Sequence, residues 1–349
     1  MLVCINIAGK LANHCQSLLN FTRDHTYQPL LNMPSKAHGH KVYLLYFFAV
    51  KYFQLTRVFT ITLLLVASTL AAQNTSRYWQ QQVNYRIDVK LNDTTHSLDG
   101  EVEMEYINNS PDTLRFIWIH LWPNAYKNDR TAFAEQRLLE RELDFYFSDA
   151  NQKGYINRLN FSADGKPATL EDHPAYIDVA KLILPQPLLP GKSAKLHTPF
   201  HVQLPELISR SGHKGQFYAI AQWFPKAAVY DQKGWHPMPY LSMGEFYANF
   251  GNYDVHISLP DNYAVAATGL LQNEEEIKWL QSRTKRLVTT KPAAKKTVPK
   301  AKSSVNADTP PSSKVMKTLH YKAEQVIDFA WAADKRFIVK YDTVMMASQ

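Results

Sequence analysis

The sequence predicts a mainly β fold, an antiparallel β-sandwich or a saddle-shaped sheet that carries one short helix. In several segments, apolar and polar residues alternate with a period of two, as in half-buried strands. Clusters of Gly, Pro, Asn and Asp separate these segments, as expected for turns. The chain has 349 residues, of which 45% are hydrophobic and 20% charged. That length accommodates one large domain or two ordinary domains, and the composition is typical of globular proteins.

The first two predicted strands form a hairpin. Apolar side chains alternate with polar ones at 83–91, and a second alternating segment follows at 102–106. Asp99-Gly100 between them is a turn signal. Glu101, Glu103 and Glu105 share one face of the second strand, and we interpret them as its solvated side.

Further strands are predicted at 114–122, 200–204, 253–259 and 319–331. The segment 131–147 differs, because it is rich in helix formers and has apolar residues at helical spacing, including Phe133, Leu139 and Leu143. It predicts a short amphipathic helix on the flank of the sheet. Many short strands with turns between them favour a sandwich or a saddle-shaped sheet.

The net charge of +8 is unevenly distributed. Residues 1–57 carry a net charge of +5 and residues 283–317 carry +9, which leaves −6 for the rest of the chain. The predicted folded body is therefore acidic. This argues against a basic groove with interleaved aromatic residues, so no nucleic-acid partner is predicted.

A predicted secretory signal lies some way from the first residue. Arg57 precedes an apolar run at 58–72 that ends in small residues, which is the pattern of a signal-peptide h-region and its cleavage site. We therefore expect a secreted or periplasmic protein; the alternative is a membrane anchor. Residues 1–57 form an N-terminal extension, and its length suggests that translation starts downstream of Met1. Both cysteines, Cys4 and Cys15, lie in this extension, so no disulfide framework is expected in the body.

The segment 283–317 is predicted to be a disordered insert between two strands. It has no aromatic residue, and Lys, Pro, Ala and Ser dominate its composition. Such a segment buries too little apolar surface to offset the entropy lost on ordering. The alternative is a polybasic patch for anionic surfaces.

The sequence contains no complete catalytic constellation. It lacks the His-Glu-x-x-His motif, a Gly-x-Ser-x-Gly elbow, a phosphate-binding loop and a dinucleotide fingerprint. His197 and His201 have the zinc-peptidase spacing, but Pro199 lies between them in a strand-like context. Three consecutive glutamates at 274–276 are interpreted as a charged loop. We therefore predict no catalytic residue and no metal ligand in this chain.

Aromatic residues are densest at 216–253, which we call the aromatic block. It holds eleven aromatic residues in 38 positions, against 12% for the whole chain. Several Pro and Gly residues interrupt it, so neither a plain helix nor a plain strand fits. It predicts a packed, turn-rich surface where a domain meets a substrate or a second domain.

The aromatic block and its surroundings resemble the N-terminal β domain of the aminopeptidase N family of zinc metallopeptidases, and more narrowly a secreted bacterial branch of that family. The matching motifs occur in the family's order over 78–340. They are Tyr85 to Leu91, Leu98-Asp99-Gly100, His120-Leu121-Trp122-Pro123-Asn124, Phe224-Pro225, Asp231, Val255 to Pro260, Ala267-Thr268-Gly269 and Asp328-Phe329-Ala330-Trp331. Each motif is loose, but their order over this length is specific.

The resemblance implies a β domain at 73–340, with 341–349 as the start of a catalytic domain that this sequence lacks. In the family, that missing domain carries the zinc site and cleaves peptides, so this chain is expected to be inactive alone. The resemblance also implies a substrate-facing amide in the β domain that binds the peptide's free amino group. Gln222 is the leading candidate, with Gln216 behind it and Trp223 beside it; strand pairing and core packing are the alternatives. From a different class, a free-standing secreted β-sandwich could bind peptide or glycan through its aromatic face.

Overall fold

The computed structural model describes residues 51–54, 56–57, 60, 78–283 and 309–340. The chain divides into two compact units, 1–77 and 78–349. In the first unit, the described residues are helical. Most of the predicted signal, the centre of the predicted insert and the segment 341–349 lie outside the described residues. Within the described ranges, no helix is both long enough and apolar enough to cross a membrane.

The second unit is built mainly of strands, as the sequence predicts. Two α-helices and two short 3-10 helices interrupt the strands: α1 is Ala132–Leu139, α2 is Glu274–Ser282, and the 3-10 helices are Trp122–Tyr126 and Ala150–Gln152. In chain order, the strands are β1 Gln82–Asn92, β2 Ser97–Ile107, β3 Leu114–His120, β4 Tyr155–Asn157, β5 Ser162–Ala163, β6 Lys166–Pro167, β7 Thr169–Asp172, β8 Val179–Leu188, β9 Ser193–Gln203, β10 Gly212–Lys214, β11 Phe217–Ile220, β12 Lys226–Ala227, β13 Val229–Asp231, β14 Gly234–His236, β15 Gly251–Pro260, β16 Ala264–Ala267, β17 Leu270–Leu271, β18 Met316–Val326 and β19 Trp331–Asp334.

The largest sheet has nine strands in the order β17-β18-β15-β1-β2-β9-β5-β6, with β4 also paired to β9. β1 and β2 pair as an antiparallel hairpin, which confirms the hairpin predicted from the alternating sequence. The predicted turn position was wrong, because the chain turns at 93–96 and Asp99-Gly100 lies within β2. β1 also pairs with β15, and this pairing is parallel, although the sequence predicts an antiparallel fold. The remaining strand pairs in the described part of the chain are antiparallel.

Smaller sheets cover one face of the large sheet. Two four-stranded sheets have the orders β10-β11-β19-β16 and β12-β3-β8-β7, and β13 pairs with β14. Alternate side chains of β1, β2, β9 and β15 pack against side chains of these smaller sheets and form a single apolar core with them. The opposite face of β2 carries Glu101, Glu103 and Glu105, of which the first two are exposed and the third is half-buried. This arrangement confirms the predicted solvated side.

Gly251 permits the close approach of β15 to β1. A Cβ atom at this position would lie 1.7 Å from the carbonyl oxygen of Val83. Any side chain would therefore push β15 away from β1 at the start of the parallel pairing. The glycine is needed because there is no room for a Cβ atom. Its backbone conformation does not require a glycine, since its φ is not in the left-handed region.

α1 is shorter than the helix that the sequence predicts at 131–147. α1 ends at Leu139, and the chain then turns through residues 140–147. Thr131 caps its first turn, since its Oγ1 accepts a hydrogen bond from the backbone N–H of Ala134 at 3.2 Å. After the helix, Arg137 holds the turn with ion pairs of 2.7 Å to Glu142 and to Asp144.

A second helix, α2, occurs where the sequence analysis expected a charged loop. The glutamates at 274–276 form its first turn, where carboxylates are favoured by the helix dipole. Glu276 is buried and makes an ion pair of 2.7 Å with Lys317 on β18. The loop prediction was wrong because the helix is stabilised by this contact with a strand 41 residues away.

Both ends of the predicted insert are ordered on the body. At one end, Arg283 follows α2 and donates a hydrogen bond to the carbonyl of Lys335 at 3.0 Å. At the other end, the carbonyl of Pro311 accepts a hydrogen bond from Asn262 at 2.9 Å, and β18 begins at Met316. Residues 284–308, where a disordered insert is predicted, lie outside the described residues.

Candidate interface around the aromatic block

The aromatic block contributes both core and surface. Its buried rings are Tyr218, Trp223, Phe224, Tyr240 and Tyr253. Its exposed apolar side chains are Met238, Met243, Tyr247 and Phe250, which are 40–64% accessible. The high density of aromatic residues in the block therefore reflects core packing as much as a binding surface.

Trp223 packs in the core of the described unit. Its side chain is buried, and its Nε1–H donates a hydrogen bond of 2.9 Å to the carbonyl of Phe329. Its ring meets Phe224 edge-on at a centroid distance of 5.2 Å and Trp331 at 6.2 Å. In this position, the indole links the block to β19.

Gln222 combines two unfavourable features. It has a φ of 55°, in the left-handed region that non-glycine residues seldom adopt. Its Oε1 is buried and has no hydrogen-bond partner among the described residues. A strained backbone costs about 1–3 kcal/mol, and an unpaired buried acceptor costs a similar amount. Such costs concentrate at functional positions.

Gln216 precedes β11, whereas Gln222 follows it. The side-chain amide of Gln216 is hydrogen-bonded within the chain. Its Nε2 donates a hydrogen bond to Ser312 at 3.1 Å and a weaker one to Asp93 at 3.4 Å. Its Oε1 accepts a hydrogen bond from the ammonium of Lys335. This amide therefore connects β11 to the segment before β18 and to the residue after β19.

The aromatic block contains a buried charge. Lys226 on β12 is buried, and its Nζ lies 2.9 Å from Asp328 Oδ1 and donates to the carbonyl of Ile327 at 2.6 Å. Burial lowers the pKa of Lys226, while the Asp328 carboxylate opposes that shift. The pair joins β12 to the segment between β18 and β19.

His120 faces this lysine from β3, since the two residues are cross-strand partners. The imidazole is buried, it stacks on Trp122 at a centroid distance of 4.3 Å, and neither of its nitrogens has a hydrogen-bond partner among the described residues. Burial, and secondarily the charge of Lys226, lowers the pKa of His120 to about 3. The imidazole is therefore neutral at physiological pH.

Neither Lys226 nor His120 is among the candidate site residues that the sequence predicts, although His120 belongs to one of the motifs named above. Each is a single polar residue in a strand-like context, which is the usual pattern for a solvated side chain. Their burial follows from the pairing of β12 with β3, which are far apart in sequence. Only the motifs shared with the metallopeptidase family drew attention to this region.

A small cavity opens beside the exposed part of the block. It has a volume of about 70 Å³ and is lined by Trp122, Met238, Met243, Phe246 and other residues of 238–247. Within the same segment, the backbone N–H of Tyr240 donates a hydrogen bond of 2.6 Å to the buried carboxylate of Asp178. Burial raises the pKa of Asp178 to about 6, although this hydrogen bond opposes the shift.

An exposed apolar patch lies on and after α1. Its members are Leu138, Leu139, Leu143, Tyr146 and Phe147, and Leu139 and Phe147 are 80% and 73% accessible. The block contacts the helix that carries the patch, because the backbone N–H of Met243 donates a hydrogen bond of 3.1 Å to Gln136 on α1. Phe133 and Phe145 anchor the patch in a second apolar cluster with Trp122 and Tyr240.

The chain matches no known family profile and no curated protein. It does show structural similarity to M1 zinc metallopeptidases. One is a Glu-to-Ala mutant from Deinococcus radiodurans bound to a Tyr-Ser-Ala substrate, with a TM-score of 0.38 and 10% identity over 73% of this chain and 42% of that chain. A two-domain M1 enzyme bound to L-arginine aligns with a TM-score of 0.37 and 10% identity over 73% and 42%.

The M1 metallopeptidase from D. radiodurans without a named ligand gives the same TM-score of 0.37, with 10% identity over 73% of this chain and 41% of its own. The present chain thus spans about two fifths of the length of these solved structures.

Proposed function

We propose that this chain is the non-catalytic N-terminal part of a secreted zinc aminopeptidase-like metallopeptidase. In this role it shapes the peptide-binding cleft and packs on a catalytic domain that lies outside the sequence. The zinc site and the general base belong to that other domain. The observation that carries the proposal is the exposed apolar surface formed by the patch at 138–147 and the block at 238–250.

This surface supports docking of another domain. Large apolar side chains at both ends of the surface are well exposed. Contiguous exposed apolar patches on soluble proteins mark interaction sites. The Arg137 ion pairs fix the turn after α1, and the buried rings of Phe133 and Phe145 anchor the same segment, so the patch is held in place while its outer side chains stay exposed.

Gln222 is the residue we propose for the peptide's free amino group. A buried amide oxygen without a hydrogen-bond partner among the described side chains is an acceptor available to an ammonium. Gln216 is a weaker candidate because its amide is already engaged by Ser312 and Lys335. Trp223 would act through packing beside Gln222, since its own N–H is used within the core.

The docking proposal is tested by surface variants of the chain alone. Wild type is expected to bind a hydrophobic dye and to self-associate, as measured by light scattering at increasing concentration. The double variant Leu139→Glu/Phe147→Glu should lose most of both properties. Leu270→Glu is the matched control, because Leu270 is equally exposed, at 75%, but lies on β17. A wild-type chain that stays monomeric and binds no dye would argue against an uncovered interface.

Catalytic inactivity of the chain is tested separately. The purified chain is incubated with amino-acyl 4-nitroanilides and added zinc, and release of the chromophore is followed with and without a chelator. No chelator-sensitive turnover is expected. Substantial turnover would contradict the non-catalytic assignment even if the docking surface is real.

The role of Gln222 is tested in a protein that joins this chain to a catalytic domain of the family. Gln222→Ala should raise KM for substrates with a free amino terminus and leave N-acetylated ligands unaffected. Gln232→Ala is the control, since Gln232 is exposed in the turn between β13 and β14. An unchanged KM in Gln222→Ala would remove this residue from the cleft.

The alternative, a free-standing module that binds peptide or glycan through an aromatic face, predicts binding by the chain alone. Most rings of the block are buried or half-buried, and only Tyr247 and Phe250 among them are well exposed. This distribution favours the docking role. Micromolar binding of peptides or oligosaccharides to the isolated chain, lost in Tyr247→Ala, would favour the module instead.

A further inference from the structure

Two histidines and an aspartate meet on the outer face of the large sheet. Asp254 and His256 lie on β15, and His320 is the cross-strand partner of His256 on β18. One ligand atom from each of the three residues lies within 4.8 Å of the other two. The shortest of these contacts, 2.9 Å, joins His320 Nε2 to Asp254 Oδ1. Cross-strand pairing thus brings His320 next to Asp254, which is 66 positions away in the sequence.

The arrangement of His256 favours a shared cation over a simple ion pair. Its Nδ1 lies 3.2 Å from Asp88 Oδ1 and 3.8 Å from Asp254 Oδ1, but it makes no hydrogen bond of acceptable geometry within the described part of the chain. Its ring stacks on that of His320 at a centroid distance of 4.3 Å and an interplanar angle of 17°. A buried imidazole nitrogen near two carboxylate oxygens is well placed to ligate a metal ion.

The cluster is accessible from two clefts. One, of about 510 Å³, is lined by Asp88 and His256 together with Asp99 and Glu101. The other, of about 320 Å³, is lined by Asp254. The first cleft thus borders His256 and the second borders Asp254.

We propose that Asp254, His256 and His320 bind a divalent zinc ion, with Asp88 beside the site. Two imidazoles and one carboxylate are a ligand set typical of zinc, whereas Mg²⁺ and Ca²⁺ prefer sites built of oxygen atoms. Zinc sites of this class have ligand distances near 2.0–2.2 Å, so the side chains must close inward by small rotations. The ion would tie β15 to β18, the strand that follows the predicted insert. This site is independent of the zinc proposed for the separate catalytic domain.

The test uses the full chain carrying Cys4→Ser and Cys15→Ser, so that no thiol competes for metal. Titration calorimetry measures Zn²⁺ and Mg²⁺ binding to this background and to versions that also carry His256→Gln, His320→Gln or Asp254→Asn. The background is expected to bind one more Zn²⁺ per chain than each of these variants, and to bind Mg²⁺ at least 100-fold more weakly. His197→Gln is the control, because His197 also contacts a carboxylate on this sheet, Glu101 at 3.5 Å, and should keep the full stoichiometry.

Thermal unfolding gives a second readout. At a Zn²⁺ concentration 100 times its dissociation constant, the melting temperature should rise by roughly 5–10 °C, a rise absent in the His256 and His320 variants. Unfolding in a chelator checks that these variants fold like the background. Equal zinc stoichiometry and an equal melting shift in His320→Gln and His197→Gln would overturn the proposal, as would the absence of any zinc-dependent shift in the background.

Discussion

Removing Asp328 is expected to destabilise the protein far more than removing its partner Lys226. In Asp328→Asn, the ammonium of Lys226 stays buried, with only 3% of its side chain accessible and with the Ile327 carbonyl as its remaining close partner. Breaking a buried ion pair from one side costs about 3–5 kcal/mol. Because 19% of the Asp328 side chain is accessible and some water reaches the pair, we expect a cost near the lower end, about 3 kcal/mol.

Removing Lys226 instead leaves a milder defect. In Lys226→Met, the Asp328 carboxylate is partly accessible and hydrates, and the methionine fills the space of the lysine stem. We expect a cost of about 1–2 kcal/mol, mainly because the Ile327 carbonyl keeps only a long hydrogen bond of 3.4 Å from the Tyr253 hydroxyl. The double variant Lys226→Met/Asp328→Asn should be within about 1 kcal/mol of Lys226→Met, because the buried charge is gone.

The pH dependence of the unfolding free energy isolates the contribution of the Lys226 ammonium. A folded pKa of Lys226 below the unfolded value of 10.5 means that stability rises with pH between the two values. In Asp328→Asn that folded pKa falls further, so the variant should recover stability over a wider range below pH 10.5. The contribution of other titrating groups, such as the buried tyrosines, cancels when the unfolding free energy of the double variant is subtracted from that of Asp328→Asn at each pH.

Urea unfolding of wild type, both single variants and the double variant completes the cycle at pH 7 and pH 9.5. The reasoning predicts a coupling free energy of at least about 2 kcal/mol at pH 7. Equal losses in the two single variants, or a loss below about 1 kcal/mol in Asp328→Asn, would refute the buried-charge argument.

Three further predictions concern single residues. His120→Phe should reduce the loss of stability in acid. The imidazole has a pKa of 6.5 in the unfolded chain and about 3 in the folded one, so wild type loses about 2 kcal/mol of stability between pH 7 and pH 5 through this residue. Urea unfolding of wild type and variant at both pH values would measure the difference. Asp178→Asn should act in the opposite direction. The folded carboxyl has a pKa of about 6 against 3.8 unfolded, so wild type loses stability as the pH rises from 4 to 8. Relative to wild type, the variant should therefore be about 2 kcal/mol more stable at pH 8 than at pH 4, as urea unfolding at both pH values would measure. Gly251→Ala should cost several kcal/mol or prevent folding, since its Cβ would collide with Val83, whereas Gly244→Ala meets open space and should cost only about 1 kcal/mol of backbone strain, as judged by melting temperature. A comparable loss in both glycine variants would argue against the collision.

The strands could be predicted because one face of the large sheet is buried and the other is solvated. Period-two alternation therefore marks β1, β2 and β15 directly in the sequence. Pairing partners are different, because alternation does not say which strands are neighbours. The parallel pairing of β1 with β15 joins segments more than 160 residues apart and depends on the close approach at Gly251. Nothing local in either segment indicates it.

The sequence drew attention to the aromatic block, but it did not indicate the chemistry of the residues around the block. Aromatic density identified the block, and Gln222 stands out in the structure for its left-handed backbone and unpaired amide oxygen. The buried Lys226–Asp328 pair and the His256–His320 cluster escaped notice because each is assembled by tertiary contacts. In sequence, these residues look like ordinary solvated positions of strands.

The reading frame downstream of codon 349 tests the central claim most directly. If the chain is the non-catalytic part of a zinc metallopeptidase, sequencing the genomic DNA should find a His-Glu-x-x-His motif within the next ~150 codons, about the size of a domain, in frame or after a single frameshift. Intergenic sequence or an unrelated gene over that distance would contradict the account and favour a free-standing module.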